Sequence, residues 1–73
     1  MKNMSNIKLF NKNIYEKENI EKAIKDYKEI CNIKVKDEGK YYKLILSDPK
    51  ADKELIWREF ENYLIGIGGV HGY

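Results

Sequence analysis

Chemistry has few places to reside in this chain of 73 residues, which carries one histidine and one cysteine. The histidine, His71, sits in the last eight residues, GIGGVHGY, a stretch with four of the five glycines and no Asp, Glu, Lys or Arg. It is the one obvious acid-base group or metal ligand, and a metal site there would need ligands from another chain. The cysteine, Cys31, falls at the end of an apolar helical stripe, a position that predicts a buried, inert thiol in place of a nucleophile with depressed pKa. No Ser/His/Asp or Cys/His arrangement has a structural context, and no glycine loop lies between a strand and a helix to cradle phosphate. The acids occupy solvated helix faces. The expectation is a protein without catalytic residues, cofactor or metal, and without an enzymatic activity of its own.

Binding is the remaining class. Fourteen basic and 12 acidic residues give a formal charge of +2, too balanced to imply polyanion binding. Arg58 is the single arginine beside 13 lysines, whereas bidentate recognition of phosphate favours arginine. With 42% hydrophobic residues the composition fits a folded domain, and one cysteine excludes an internal disulfide framework. The start, MKNMSNIKLFNKN, is interrupted by Asn and Lys and offers no apolar signal core. The expected location is the cytoplasm.

Two helices and three strands must position whatever binds. Ile20, Ala23, Ile24, Tyr27, Ile30 and Cys31 step by three and four, which predicts an amphipathic helix from about Lys17 to Cys31. Ile56, Phe60, Tyr63, Leu64 and Ile67 mark a second helix, widened by Leu55 and Trp57, with Asp52 as its N-cap and Glu54 and Arg58 spaced as an i,i+4 pair. Gly66, Gly68 and Gly69 then provide a helix end. Between the helices, NIKVK and KYYKLILS alternate around a turn in which Gly39 can take a positive φ, the pattern of a β-hairpin. IKLF predicts a first strand.

Strand, helix, strand, strand, helix, with one apolar stripe per helix, predicts an α+β two-layer sandwich of ferredoxin-like, split β-α-β type. The first strand lies next to the third, and a fourth strand is absent or vestigial. The single domain is expected over residues 7–65, after an N-terminal segment 1–6 and before a glycine-rich tail 66–73. Its core is expected from Leu9, Ile20, Ile24, Tyr27, Ile33, Val35, Leu44, Leu46, Ile56, Phe60 and Leu64.

If Ile7, Leu9, Ile33, Val35, Tyr42, Leu44 and Leu46 face the helices, then Lys8, Phe10, Lys34, Lys36, Tyr41, Lys43 and Ile45 share the opposite face. Lysines around Phe10 and Tyr41 on an uncovered sheet are like the platform on which RNA-binding domains stack bases, although no RNP-type motif is present. The same face suits a protein partner. The expected contact residues are Phe10, Tyr41, Lys43 and Ile45 on the sheet, together with Val70, His71 and Tyr73 in the tail. An open sheet edge is also a route to a homodimer.

From about Asn11 to Gly66 the sequence resembles the small HxsD-like proteins of the His-Xaa-Ser system. The resemblance is carried by Tyr15 after the first strand, by an acidic helix start running into Ile20, Ala23, Ile24 and Tyr27, by the short hairpin, and by Phe60, Asn62 and Leu64 in an F-x-N-x-L pattern. Proteins of that family are encoded beside radical SAM proteins and a His-Xaa-Ser repeat peptide. The resemblance implies an accessory or adaptor role in modifying a ribosomally made peptide, with a radical SAM enzyme or its peptide as partner. The alternative reading of the same surface is a small module for single-stranded nucleic acid.

Overall fold

The computed structural model describes residues 6–68, which form β1 (Ile7–Asn11), α1 (Lys17–Asp26), β2 (Asn32–Glu38), β3 (Tyr41–Ser47) and α2 (Lys53–Gly66). The three strands make one antiparallel sheet in the order β1-β3-β2. This is the split β-α-β arrangement of a small ferredoxin-like α+β fold, with the first strand beside the third as the sequence predicts. A fourth strand drawn from the tail would fall outside the described residues.

The hairpin forms because its local chemistry agrees with its pattern. Glu38 pairs with Tyr41 across the two residues Gly39 and Lys40, and Gly39 takes φ +79° while Lys40 stays in the negative region. A first loop residue with positive φ is what a type II′ turn requires, and its twist suits the strands it joins. The Asp37 carboxylate accepts the Gly39 amide at 3.1 Å and the Lys12 ammonium, tying the turn to the end of β1. Lys12 also sits 5.0 Å from the centre of the Tyr42 ring.

The two helices lie over one face of the sheet. Asp52 caps α2 by accepting the Leu55 amide at 3.2 Å, as its position predicts. At the other end Gly68 adopts φ +77° and its amide bonds the Ile65 carbonyl at 3.1 Å, which makes it the glycine that terminates the helix. Glu54 and Arg58, spaced as a pair, do not form one; the i,i+4 ion pairs among the described residues are Lys17–Glu21 at 3.9 Å and Lys22–Asp26 at 3.2 Å.

The first helix is shorter than its apolar stripe. It ends at Asp26, five residues before Cys31, and residues 27–30 form a turn. The amide of Ile30 bonds the Tyr27 carbonyl at 2.9 Å, and the Ile30 carbonyl accepts from Lys50 at 2.8 Å. The stripe overruns because Cys31 still bonds the Tyr27 carbonyl at helical spacing, 3.1 Å, so the period survives while the helix does not. Ile30, counted with the stripe, is exposed.

The core comprises Phe10, Ile20, Ala23, Cys31, Ile33, Leu44, Leu46, Ile56, Trp57, Phe60 and Leu64, with Tyr15, Ile24, Tyr27, Val35 and Tyr42 packed partly buried around it. Ten of these sixteen were expected by name to form it, namely Ile20, Ile24, Tyr27, Ile33, Val35, Leu44, Leu46, Ile56, Phe60 and Leu64. The exception is β1, where the phase is the reverse of the one expected. Phe10, expected outside, is 1% exposed; Leu9, expected in the core, is 54% exposed, and Ile7 is exposed as well.

Register and side-chain size explain the reversal. Phe10 is opposite Tyr42, and Lys8 opposite the buried Leu44, so both stand on the helix side of the sheet. Phe10 enters an aromatic cluster, with ring centres 4.9 Å from Tyr15, 6.0 Å from Phe60 and 6.3 Å from Trp57. One phenyl ring buries more apolar surface than a leucine and adds edge-to-face contacts. The cost of that phase is Lys8, which sits on the outer strand of the described sheet and escapes to the rim, where its ammonium meets Glu61 of α2 at 2.5 Å.

Candidate functional site

The reversed phase of β1 redraws the open face of the sheet. Strand pairing sets three rows across it: Ile7, Ile45 and Lys34; Leu9, Lys43 and Lys36; Asn11, Tyr41 and Glu38. Side chains at alternate positions of a strand share a face, so these nine residues stand together, opposite the helices. Leu9, Ile7 and Tyr41 are among the most exposed large apolar side chains of the described chain, at 54%, 43% and 39%. Ile45, on the central strand, is half-buried between them.

Apolar and basic groups are segregated on this face. Ile7 and Leu9 lie on β1 and adjoin Ile45 on β3, whereas Lys34 and Lys36 lie on β2 at the other side, with Lys43 between. None of these three lysines forms an ion pair among the described residues, in contrast to Lys8 and Lys12, which are paired with Glu61 and Asp37. Glu38 is the single acid in the three rows, so the face carries a net charge of +2 from three lysines against one glutamate.

The expected contact residues divide accordingly. Tyr41, Lys43 and Ile45 are on the open face, as the alternation of β3 implies. Phe10 is not: it is a core residue of the aromatic cluster, and Ile7 and Leu9 take its place outside. Lys8, also expected outside, faces the helix side and pairs with α2. Val70, His71 and Tyr73 lie outside the described residues. Sequence reasoning missed Ile7 and Leu9 as surface residues; the signal available was the bulk of Phe10, the larger of the two candidates for the core.

This correction also changes what the face can bind. A base-stacking platform relies on aromatic rings at spaced positions, and with Phe10 buried only Tyr41 remains among the nine residues. Aliphatic side chains beside unpaired lysines suit an apolar protein surface with acidic groups at its margin.

Elsewhere several polar side chains have structural partners. The Tyr63 hydroxyl donates to the Asp26 carboxylate, which also takes a bond from Lys22 at 3.2 Å. The tyrosine hydroxyl first, and Lys22 second, hold the Asp26 carboxyl below the usual aspartate range. The Tyr27 hydroxyl donates to the Glu59 carbonyl at 3.1 Å, joining the two helices. Cys31 is 3% exposed, and burial pushes its thiol above the ordinary cysteine value, the opposite of what a nucleophile needs. Among the described residues no three His, Cys, Asp or Glu side chains are grouped as a metal site, and no helix is long and apolar enough to cross a membrane.

No protein-family model, no curated protein and no solved structure matches this chain.

Proposed function

We propose that this protein is a small non-catalytic adaptor of a peptide-modifying system of the radical SAM type, and that the open face of its sheet docks the modifying enzyme. The observation that carries the docking reading is the grouping of Ile7, Leu9, Tyr41 and Ile45, flanked by Lys34, Lys36 and Lys43, on a face that the helices leave uncovered. A grouped apolar surface edged by charge is characteristic of protein contacts, whereas scattered single hydrophobes are ordinary. The resemblance to HxsD-like proteins supplies the class of system. The thiol of Cys31, buried and shifted away from reactivity, supports an adaptor over a thiol enzyme.

The reading is tested by sequencing the gene neighbourhood for a radical SAM protein and co-purifying the tagged chain with it. Stable co-elution, abolished by the double substitution Leu9→Lys and Ile45→Lys in a chain whose circular dichroism is unchanged, is the expected outcome. Absence of a radical SAM protein from the gene neighbourhood would remove the class. Co-elution indifferent to the double substitution would remove the face. Binding of single-stranded RNA to the same face, weakened steeply by salt, would replace the adaptor with a nucleic-acid module.

A further inference from the structure

The second edge of the sheet has its own character, independent of the open face. The Leu46 amide donates to the Asn6 carbonyl at 2.7 Å, and the Lys12 amide donates to the Lys40 carbonyl at 3.1 Å. Even-numbered residues of β3 therefore direct their backbone groups toward β1, and its odd-numbered residues, Tyr41, Lys43, Ile45 and Ser47, direct theirs toward β2. Across the register their β2 partners are Glu38, Lys36, Lys34 and Asn32. The remaining residues of β2, Ile33, Val35 and Asp37, then aim their amides and carbonyls away from the sheet.

Alongside that edge, between α1 and β2, runs an open groove of about 430 Å³ whose lining includes Ile24, Cys31 and Ile33 with Lys25, Lys28 and Lys34. Glu21 is the single acid in this lining, so the groove is apolar at its base and basic at its rim. A polar edge whose outward backbone directions are unfilled among the described residues, beside such a groove, has the two parts needed to accept an extended peptide as an added strand.

We infer that β2 is the docking edge for an extended peptide in which acidic and apolar residues alternate. The alternation follows from the pleat. Side chains of an added strand that share the open face with Lys34 and Lys36 meet two ammonium groups, and those on the other side share the helix side of the sheet with Val35 and with Ile33, which lines the α1 groove. A second copy of this chain fits less well. Antiparallel pairing of two β2 edges centred on Val35 would set Lys34 opposite Lys36 of the second copy, twice, and directly opposed like charges oppose pairing. An acidic strand turns the same two positions into attractions.

The probe is the acetylated, amidated peptide Glu-Val-Glu-Leu-Glu-Val-Glu, compared with the peptide in which every Glu is Lys. Titration into the full-length chain followed by amide NMR should show binding of the acidic peptide alone, with slowed hydrogen exchange at Ile33, Val35 and Asp37. Val35→Pro removes one outward amide while leaving the bonds to β3, since proline is tolerated where the N–H faces outward on an edge strand. It should weaken binding at least about tenfold, the equivalent of losing one backbone bond with its desolvation cost. The double substitution Lys34→Glu and Lys36→Glu leaves the backbone intact and should reverse the preference toward the lysine peptide, which keeps the test valid should the proline variant fail to fold. Absence of binding, equal binding of both peptides, perturbations centred on Leu9 and Ile45, or a dimer of the unliganded chain that Val35→Pro dissolves would overturn the inference. The docking of an enzyme on the open face stands or falls separately, because the uncharged pair Leu9→Ser with Ile45→Ser should weaken enzyme docking and should not alter capture of the peptide.

Discussion

β1, an outer strand of the described sheet, and β3, its central strand, each carry one lysine among apolar residues and differ in how plainly they declare a face. In β3, Tyr42, Leu44 and Leu46 stand against Tyr41, Lys43 and Ile45, and the burial of Leu44 and Leu46 agrees with the hydrophobic preference of that alternation. In β1 the two polar residues are divided between the faces, Lys8 on one and Asn11 on the other, so Ile7 and Leu9 compete with Phe10. A rule that counts apolar residues chooses Ile7 and Leu9. The structure chooses Phe10, because one large ring completes the cluster with Tyr15, Trp57 and Phe60, and Lys8 can reach solvent and Glu61 from an outer strand. Position in the sheet therefore decides how expensive a lysine on the inner face is.

The comparison is sharpened by substitutions at a fully buried position, at a helix cap and at the rim of the inner face. Leu44 is fully buried, and Leu44→Ala should cost about 2–5 kcal/mol in urea denaturation, as large-to-small changes in cores do. A loss well below that range would mean that the inner layer is loosely packed. Asp52→Ala, which deletes the N-cap of α2, should cost about 0.5–2 kcal/mol, with Asp52→Asn retaining most of the stability. Lys8→Ala removes the pair with Glu61 at the rim of the inner face and should cost about 0.2–1 kcal/mol, less at high salt. Were it to cost as much as Leu44→Ala, Lys8 would be an inner-face anchor in its own right.

The smallest effects belong to exposed groups. Hydrogen bonds from Tyr63 and then Lys22 lower the Asp26 pKa, and hydrogen bonds from Lys12 and then the Gly39 amide lower that of Asp37. A carboxylate whose folded pKa lies below its unfolded value, about 3.9, contributes stability that is fully present above the unfolded value and is lost as pH falls through the folded one. Thermal unfolding followed from about pH 5 to pH 2 should show a decline across that window, and Asp26→Asn together with Asp37→Asn should flatten it. A decline unchanged in the double variant would assign the acid sensitivity to other carboxylates.

Much of this fold could be read from the sequence where two local signals coincide. The hairpin was legible because alternation on both sides meets a glycine in the turn, and Gly39 indeed takes a positive φ. The start of α2 was legible because Asp52 precedes an apolar period, and its end because Gly68 follows one. The end of α1 was not, since Tyr27 and Cys31 keep helical spacing through a turn whose bonds to Lys50 depend on a distant segment. The candidate docking face was half legible: Tyr41, Lys43 and Ile45 follow from β3 alone, but Ile7 and Leu9 require knowing which aromatic cluster β1 completes. The peptide edge at β2 was not legible at all, because the direction of a backbone amide depends on the register between strands.

The phase of β1 underlies both the core and the open face, and one paired denaturation measurement tests it most directly. Leu9→Ala and Phe10→Ala would be compared by urea unfolding under the same conditions. The buried ring should cost about 3–5 kcal/mol when truncated, and the exposed leucine should stay within about 0.5 kcal/mol of the parent chain. The reverse ranking, with Leu9→Ala the damaging change, would contradict the account and return Phe10 to the outer face.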